Sequence, residues 1–331
     1  MKKFSVRFLL SLVLRSLTVF SLTAPAVMAQ SAAGYPDRPI KLLVPFAPGG
    51  LVDTYARSLH PRLVELLGQQ VIIENRGGAG GTIAEAMLAK AAPDGYTIMM
   101  SGDSVPANPH LYKGLSYELF RDLTPVSQLA RVPLVLVSPT NIAPETLRDF
   151  VAWGKQRAGQ ISFASPGTGT SNHFASELFN AAAGLRMVHV PYKGGGPAMT
   201  DLMGGQVQAL FSSVFVAAPQ VKASKIRALA VSSERRSALL PQVPTFAEAG
   251  YPGFVMASWS GLFVPAGTPP AIIQRLHGDF AKALRAPDVQ ARLAELATEA
   301  VAMPPAEFAA VLRAEYDKFG KLIRELGISV N

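Results

Sequence analysis

The chain has 331 residues, of which 49% are hydrophobic, and its formal net charge is +8. It contains no cysteine, which excludes disulfides, thiolate chemistry and a lipid-modified N-terminal cysteine. The basic residues form no Lys/Arg cluster, so the sequence carries no electrostatic footprint for nucleic acid and no such partner is expected.

The first 29 residues have the pattern of a secretory signal peptide. Basic residues precede an apolar run at residues 8–20, and Val27 and Ala29 fit the small-residue pattern before a cleavage point. Arg15 interrupts the apolar run, which argues against a spanning helix because such a helix needs about 20 consecutive apolar residues. Cleavage near Ala29 removes four basic residues and no acidic residue, which lowers the formal charge from +8 by four to +4. The mature protein is therefore expected to be exported and soluble, with room for two domains of about 150 residues each.

The sequence predicts a buried strand, a glycine turn and a helix over residues 40–57. Ile40 to Phe46 carries no charge after Lys41, as in a strand buried on both faces of a parallel sheet. Pro48 to Gly50 end this strand, and Asp53 falls in the first turn of an amphipathic segment. Such a turn presents unpaired backbone N–H groups at the positive end of a helix, where open α/β sheets bind ligands. An anion is the expected ligand there.

The same β-α pattern repeats along the first half of the chain. Val71 to Glu74 is a second predicted strand, and the glycines of residues 77–81 read as a plain turn before a helix over Thr82 to Ala92. Tyr96 to Met100 is the third strand, and a loop of small polar residues from Ser101 to Ser104 follows its carboxyl end.

Residues 123–139 contain two apolar runs separated by Pro133, which we interpret as a crossing into a second unit. A return crossing after residue 231 would make the pair of connections a hinge. The predicted elements of the second unit are a helix over Thr146 to Arg157 and strands at Ile161 to Ala164, Met187 to Tyr192, Ala209 to Ser213 and Arg227 to Val231. Three amphipathic helices are predicted to cover the first unit, over Thr268 to Leu284, Val289 to Leu296 and Pro305 to Leu326.

A second glycine turn, at residues 165–172, opens a helix in the second unit and could face the first turn across a cleft. Backbone amides and the side chains of Thr168, Thr170, Ser171 and Asn172 would satisfy carboxylate oxygens there without an arginine. The alternative interpretation is that Asp53 and Ser171 cap their own helices, and both interpretations can hold at once.

Other chemistries fit the residues less well. Neither glycine run has the third glycine of G-x-G-x-x-G, and the five histidines have no metal-site spacing, so no cofactor or metal is expected. A hydrolase using Ser171 or Ser165 with His173 is the alternative from another class, although no G-x-S-x-G elbow is present. Asp103 and Asp201 are candidate acceptors for a ligand ammonium or hydroxyl group, and residues 192–197 could form another anion-binding turn.

Seven segments together carry a family resemblance, and they span the mature chain. They are Tyr35 to Ile40, Val44 to Arg57, Glu74 to Gly81, Pro93 to Tyr96, His189 to Gly194, Pro241 to Gly250 and Trp259 to Gly261. In this order they closely resemble the solute receptors of tripartite tricarboxylate transporters, also called the Bug family. The resemblance implies a type II, Venus-flytrap periplasmic binding protein, which closes over a small carboxylate and hands it to a membrane permease. It also implies an α/β fold with two mixed sheets flanked by helices and a hinge between two lobes.

The resemblance implies that the turns at Phe46 to Asp53 and Gly167 to His173 grip carboxylate groups through backbone amides, hydroxyls and waters. Two departures from the family pattern stand out. Gly77 replaces a common proline, and Asp103 places an acid in a loop that is usually neutral, which could favour a ligand with an ammonium group.

The resulting hypothesis is a non-enzymatic periplasmic receptor that acts as a monomer, with the permease subunits of a tripartite tricarboxylate-type transporter as partners. A receptor that presents its closed form to a sensor protein is a further alternative. The expected boundaries are residues 35–135 with 233–331 for lobe 1 and residues 136–232 for lobe 2. The predicted ligand-binding residues are Phe46, Ala47, Gly49, Gly50, Asp53, Ser101, Asp103, Ser104, Ser165, Gly167, Thr168, Gly169, Thr170, His173 and Lys193.

Overall fold

A computed structural model describes residues 34–329, and the predicted signal peptide lies outside them. Strands and helices alternate through most of this range, as the sequence predicts. The strands are β1 (Ile40–Val44), β2 (Val71–Asn75), β3 (Thr97–Gly102), β4 (Leu123–Pro139), β5 (Ser162–Ser165), β6 (Val188–Pro191), β7 (Ala209–Ser213), β8 (Ile226–Val231), β9 (Ala257–Pro265) and β10 (Glu299–Ala300). The helices are α1 (Leu51–Leu67), α2 (Thr82–Ala89), α3 (Ser104–Leu111), α4 (Leu119–Asp122), α5 (Leu147–Lys155), α6 (Ser171–Ala183), α7 (Gly195–Met203), α8 (Val214–Lys222), α9 (Pro270–Arg285), α10 (Pro287–Glu295) and α11 (Pro305–Leu326).

The first sheet has the strand order β2-β1-β3-β9-β4, with β10 paired to β4. β1, β2 and β3 are parallel, whereas β9 runs antiparallel to both β3 and β4. Helix α1 covers one face of this sheet because Val52, Tyr55, Leu59 and Leu63 recur at helical spacing and are buried. The sheet therefore places the carboxyl ends of β1 and β3 at the same edge, next to the start of α1.

The second sheet is built on the other half of β4. Leu134 to Val137 pair with β7, which continues through β5 to β6, and β8 pairs with the opposite edge of β4. β4 thus belongs to both sheets, and it passes from β9 to β7 immediately after Pro133. Both sheets are mixed, as predicted.

The hydrophobic core is divided between the two sheets. The predicted C-terminal amphipathic helices are confirmed: Ile272 and Phe280 of α9 pack with Leu42 of β1 in the core of the first sheet. In the core of the second sheet, Phe246 packs against Phe179 and Phe211, at ring-centroid distances of 5.4 and 5.6 Å.

One local prediction is wrong. Residues 101 and 102 belong to β3 because Ser101 and Gly102 lie opposite Gly261 and Ser260 of β9, and α3 begins at Ser104, so no polar loop follows the strand. The two apolar runs of residues 123–139 lie in the single strand β4, in which Pro133 lies opposite Ala257 of β9 and does not interrupt the pairing.

Candidate functional site

Two small adjoining cavities lie between the ends of the first-sheet and second-sheet strands. One has a volume of about 40 Å³ and reaches Asp103, Thr170 and Ser258. The other has a volume of about 30 Å³ and reaches residues near the end of β7. Leu51 and Asn172 line both cavities, so the two together form one continuous candidate site. We call it the cleft cavity.

Three helices begin at the cleft cavity. Helix α1 follows Gly50, α7 follows Gly194 and α8 follows Ser213, and Gly50, Gly195 and Ser213 line the cavity. In the described part of the chain, none of the three residues before these helices makes a side-chain capping hydrogen bond. Uncapped N-termini leave N–H groups available at the positive end of each helix dipole. The cleft cavity is therefore suited to an anion.

Asp53 stabilises the first of these turns instead of capping α1 at its N-terminus. Its carboxylate is 3% exposed and accepts hydrogen bonds from Gly49 N, Arg57 Nε and Asn75 Nδ2 over 3.0 to 3.1 Å. Burial alone would raise the pKa of Asp53, but these hydrogen bonds and the Arg57 charge hold it below its ordinary value. The predicted cap is wrong because the backbone donor, Gly49, precedes the helix. Asp53 is therefore ionised, and its hydrogen bonds stabilise the turn.

The second predicted turn is held by its own side chains. Thr170 Oγ1 donates to the Gly167 carbonyl over 2.8 Å and accepts from His173 N, so Thr170 caps α6. The prediction that Ser171 is the cap is wrong, because Ser171 is already the first residue of the helix. His173 Nδ1 accepts from Gly169 N over 3.3 Å. Its Nε2 lies 3.7 Å from a Glu177 carboxylate oxygen, so neither ring nitrogen pairs with Ser171.

A hydrogen-bonded pair of a buried serine and a half-buried histidine supports this turn. Ser165 Oγ and His189 Nε2 share a hydrogen bond of 2.6 Å, and Gly167 N donates to the same hydroxyl. The His189 ring stacks on His173 with centroids 3.9 Å apart. Burial, with a smaller contribution from the charge of His173, lowers the pKa of His189 to about 3. His189 is therefore neutral at physiological pH, and Ser165 is engaged in the turn.

The glycine turns of the two sheets pack backbone against backbone. Ala47 N donates to the Lys193 carbonyl over 2.8 Å, while the Lys193 side chain is exposed. A Cβ on Gly196 would lie 2.7 Å from the Pro48 carbonyl oxygen. Glycine is therefore required for this approach, and Ala47 and Lys193 take part through their main chains.

The turn at residues 77–81 starts α2, as predicted, and it also contacts the second predicted turn. A Cβ on Gly80 would lie 2.7 Å from the Thr168 carbonyl oxygen. A Cβ on Gly169 would lie 2.6 Å from Leu111 of α3. The Gly167 to Gly169 segment thus packs on the first-sheet elements, and Thr168 and Gly169 do not line the cleft cavity.

Asp103 lies at the carboxyl end of β3 and joins the two halves of the site. Its Oδ1 accepts from Ser171 N over 2.9 Å, and its Oδ2 accepts from Ser258 Oγ over 2.7 Å. Ser101 and Ser104 flank it, and their buried hydroxyls have no hydrogen-bond partner among the described residues. Burial raises the pKa of Asp103, although the hydrogen bonds from Ser171 and Ser258 oppose the increase.

A larger cavity, of about 210 Å³, lies on another side of Asp103. It is lined by Gln128 and by charged residues of β4 and α11, namely Arg131, Glu315 and Lys318. Gln128 Nε2 and Trp259 Nε1 are buried and have no hydrogen-bond partner among the described residues. Asp103 therefore separates the cleft cavity from a wider, charged cavity.

The structure brings part of the predicted site together. Among the predicted residues, those that line the cleft cavity are Phe46, Gly50, Asp103 and Thr170. Ser101 and Ser104 lie beside Asp103, and their buried hydroxyls have no hydrogen-bond partner among the described residues. The other predicted residues hold the surrounding turns, through contacts of their main chains or of hydrogen-bonded side chains. Asn172, which the sequence also suggested as a carboxylate contact in the second glycine turn, lines both parts of the cavity. Lining residues that the prediction missed include Leu51, Ser212, Ser213 and Ser258. Nothing local in the sequence marks Ser212, Ser213 or Ser258.

Within residues 34–329, no group of three or more His, Cys, Asp or Glu residues is arranged to hold a metal ion. Over the same range, no helix combines the length and apolar character needed to cross a membrane.

Comparison with known proteins identifies the family. The sequence profile described as "Tripartite tricarboxylate transporter family receptor" matches residues 55–328. The chain belongs to this receptor family. The BugT protein of Bordetella pertussis is 38% identical over 312 residues, which cover 93% of this chain and 95% of that protein. The predicted resemblance is thereby confirmed.

Two solved structures of similar proteins agree with the fold of this receptor. The periplasmic binding protein BugD is 33% identical with a TM-score of 0.85, covering 89% of this chain and 99% of that chain. A structure described as R. palustris Rpa4515 with adipate gives the same identity, 33%, TM-score, 0.85, and coverage, 89% and 99%. The receptor therefore has the two-lobed α/β fold of periplasmic binding proteins, as predicted.

Proposed function

We propose that this receptor is exported to the periplasm, captures a small organic carboxylate in the cleft cavity and delivers it to a tripartite tricarboxylate-type transporter. The observation that carries the proposal is the convergence of three uncapped helix N-termini on one small cavity. N–H groups at helix N-termini bind carboxylates without a cationic side chain. The family membership and the adipate complex of a similar protein support the same ligand class.

We propose that the described structure corresponds to the closed state. The turn at Ala47 and the turn at Lys193 are hydrogen-bonded, and Asp103 contacts the first residue of α6. These contacts join elements of the two sheets around a cavity of small volume. A ligand that contacts both sides would favour this state over an open one by its differential affinity.

We propose one lobe around each sheet, with a hinge between them. The change of partners along β4 supports a first crossing near Pro133. The predicted boundaries, residues 35–135 with 233–331 and residues 136–232, remain a prediction. The packing of Phe246 with Phe211 favours a return crossing closer to β9. The receptor is proposed to act as a monomer, with the permease subunits as partners.

The contacts of the candidate nucleophiles favour the receptor over the hydrolase. Ser171 and His173 are not hydrogen-bonded to each other, and the Ser165 hydroxyl is hydrogen-bonded to His189 and Gly167. A nucleophilic serine needs a base within hydrogen-bond reach and an accessible hydroxyl. Ser165 has a base within reach, His189, but its hydroxyl is not accessible because the residue is fully buried.

A thermal-shift screen tests the proposed function. The mature protein is heated with a panel of mono- and dicarboxylates, and each acid is paired with its uncharged amide. A ligand that binds only the folded state raises the melting midpoint. Acids are expected to raise it and their fully amidated analogues to leave it unchanged. A panel in which amides shift the midpoint as much as acids would contradict an anion site.

A further inference from the structure

Four helices begin around the cleft cavity, and one of them differs from the rest. The N-termini of α1, α7 and α8 have no side-chain cap in the described chain. At α6, the first backbone N–H, that of Ser171, donates to Asp103 Oδ1 over 2.9 Å. Asp103 is therefore a carboxylate of the protein itself, held at one helix N-terminus and supplied by the opposite sheet. Three N-termini can therefore bind an anionic group of the ligand, whereas the fourth already binds Asp103.

The N-terminus of α6 faces the charge of Asp103, but no cationic side chain among the described residues does. The side chain is 4% exposed, and both of its hydrogen-bond donors, Ser171 N and Ser258 Oγ, are neutral. Among residues 34–329, no Lys, Arg or His nitrogen forms an ion pair with it within 4.0 Å. An ionised carboxylate has about four acceptor positions, of which two are filled here. The dipole of α6 offsets only part of the cost of burying this carboxylate, and a proton or a cationic partner would lower that cost further.

Asp103 also lines the cleft cavity, in the part that adjoins the three open N-termini. The two parts share Leu51 and Asn172, so one compact ligand can reach both. A carboxylate at the open N-termini would leave the other end of the ligand facing Asp103. A second carboxylate there would meet a like charge, whereas an ammonium or amide group would donate to the unfilled acceptor positions.

We propose that Asp103 selects ligands that carry a hydrogen-bond donor, best an ammonium group, at the end opposite the bound carboxylate. This inference rests on the proposed function and names its ligand class: zwitterionic acids and acid amides are preferred over plain dicarboxylates. Asp103 acts as a specificity-determining residue that contacts the ligand.

Matched ligands test the inference. Succinate, succinamate and β-alanine share one carboxylate and a two-carbon spacer, and they end in a carboxylate, an amide and an ammonium group. The corresponding series with spacers of one to four carbons varies the distance between the two end groups, so that the best-fitting length is found by measurement. Calorimetric dissociation constants are measured for the wild type, for Asp103→Asn and for Glu315→Gln. Glu315 lines the larger cavity beside Asp103 and provides a control for the loss of a nearby acid.

In the wild type, the amino acid of the best-fitting length is expected to bind at least about tenfold more tightly than the matching dicarboxylate, because like charges placed together cost several kcal/mol. Asp103→Asn should reduce this ratio by about tenfold or more, and Glu315→Gln should change it by less than about threefold. A wild type that prefers dicarboxylates, or an Asn variant with an unchanged ratio, overturns the inference and leaves the proposed function standing. No binding by any member of either series counts against both.

A pH series on the wild type keeps the inference testable even if the Asn variant does not fold. The charged groups that line the larger cavity together with Asp103 are Glu315, Arg131 and Lys318. Ammonium binding requires ionised Asp103, so the affinity for the amino acid relative to the dicarboxylate should rise with pH. A ratio that falls as pH rises overturns the inference.

Discussion

Ala47 N and the carbonyl oxygen of Lys193 are joined by a 2.8 Å hydrogen bond that ties the turn after β1 to the turn before α7. The bond is possible because the glycines beside it let the two backbones approach. The Cβ of an alanine at position 196 would lie 2.7 Å from the Pro48 carbonyl oxygen. The two turns can therefore approach this closely because Gly196 has no side chain.

Gly196→Ala is expected to weaken ligand binding by about tenfold, since overpacking a close contact costs about 1–3 kcal/mol. The substitution lies inside α7 at a backbone conformation that alanine adopts, so the penalty falls on the contact with Pro48 and not on the helix. Titration calorimetry measures the affinity, and small-angle scattering measures whether ligand still compacts the protein.

Gly278→Ala is the matched control for this prediction. Gly278 lies inside α9, and a Cβ there meets no atom within 4 Å. It should leave the affinity unchanged and raise the melting midpoint slightly, because alanine is the better helix former. Equal losses of affinity in both variants would contradict a specific role for the contact between the turns.

Glu85 makes the stability of the receptor depend on pH. It is fully buried, and burial raises its pKa to about 8, against the hydrogen bonds from Tyr117 and Asn108 that lower it. The unfolded chain releases this proton near pH 4.5, whereas the folded protein keeps it up to about pH 8. The folded state therefore binds more protons across this window, and stability decreases as pH rises through it.

Glu85→Gln should remove this decrease, so its melting midpoint relative to the wild type should be higher at pH 8 than at pH 5. The comparison with the wild type is essential because His189, with a pKa lowered to about 3, changes stability in the opposite sense below pH 6.5. Glu325→Gln, at an exposed position of α11, is the control. A Glu85→Gln variant whose difference from the wild type is the same at both pH values would disprove a protonated Glu85.

Ser165→Ala is expected to destabilise the receptor by about 1–3 kcal/mol, because it leaves the half-buried His189 ring nitrogen and the buried Gly167 N–H without their partner. The change should appear in urea unfolding as a lower midpoint with an unchanged slope. Ser176→Ala provides a comparison, since the Ser176 hydroxyl bonds only to the Asn172 carbonyl within its own helix. Loss of a catalytic turnover in Ser165→Ala, with no loss of stability, would instead favour the hydrolase.

The sequence predicted the elements of this fold well because apolar spacing and turn residues act locally. Ile40 to Val44 and the amphipathic spacing of α1 fall where the pattern placed them. The end of β3 was missed because Ser101 and Gly102 are held in the sheet by β9, which is far away in the chain. Small polar residues predict a loop correctly only when no neighbouring strand pairs with them.

The candidate site was harder to predict because its contacts join distant positions. Asp103 and Ser171 are 68 residues apart, and Asp103 and Ser258 are 155 residues apart. Nothing near Ser213 marks it as a lining residue, since its place in the cavity follows from the packing of α8 beside α1 and α7. Residue types identified the turns as suited to anions, but only the fold decides which of them enclose space.

Calorimetric titration of Ser213→Asp and Ser213→Asn tests whether a carboxylate binds where the three helices begin. Ser213 precedes α8 and lines the cleft cavity. Asp and Asn both cap helices well and have nearly the same size, so the two variants differ mainly in charge.

We expect the best carboxylate from the thermal-shift screen to bind Ser213→Asn with an affinity within about tenfold of the wild type. The same ligand should bind Ser213→Asp at least about 100-fold more weakly, because the fixed carboxylate occupies the anion position and repels the ligand. Equal affinity in the two variants would show that the carboxylate binds elsewhere.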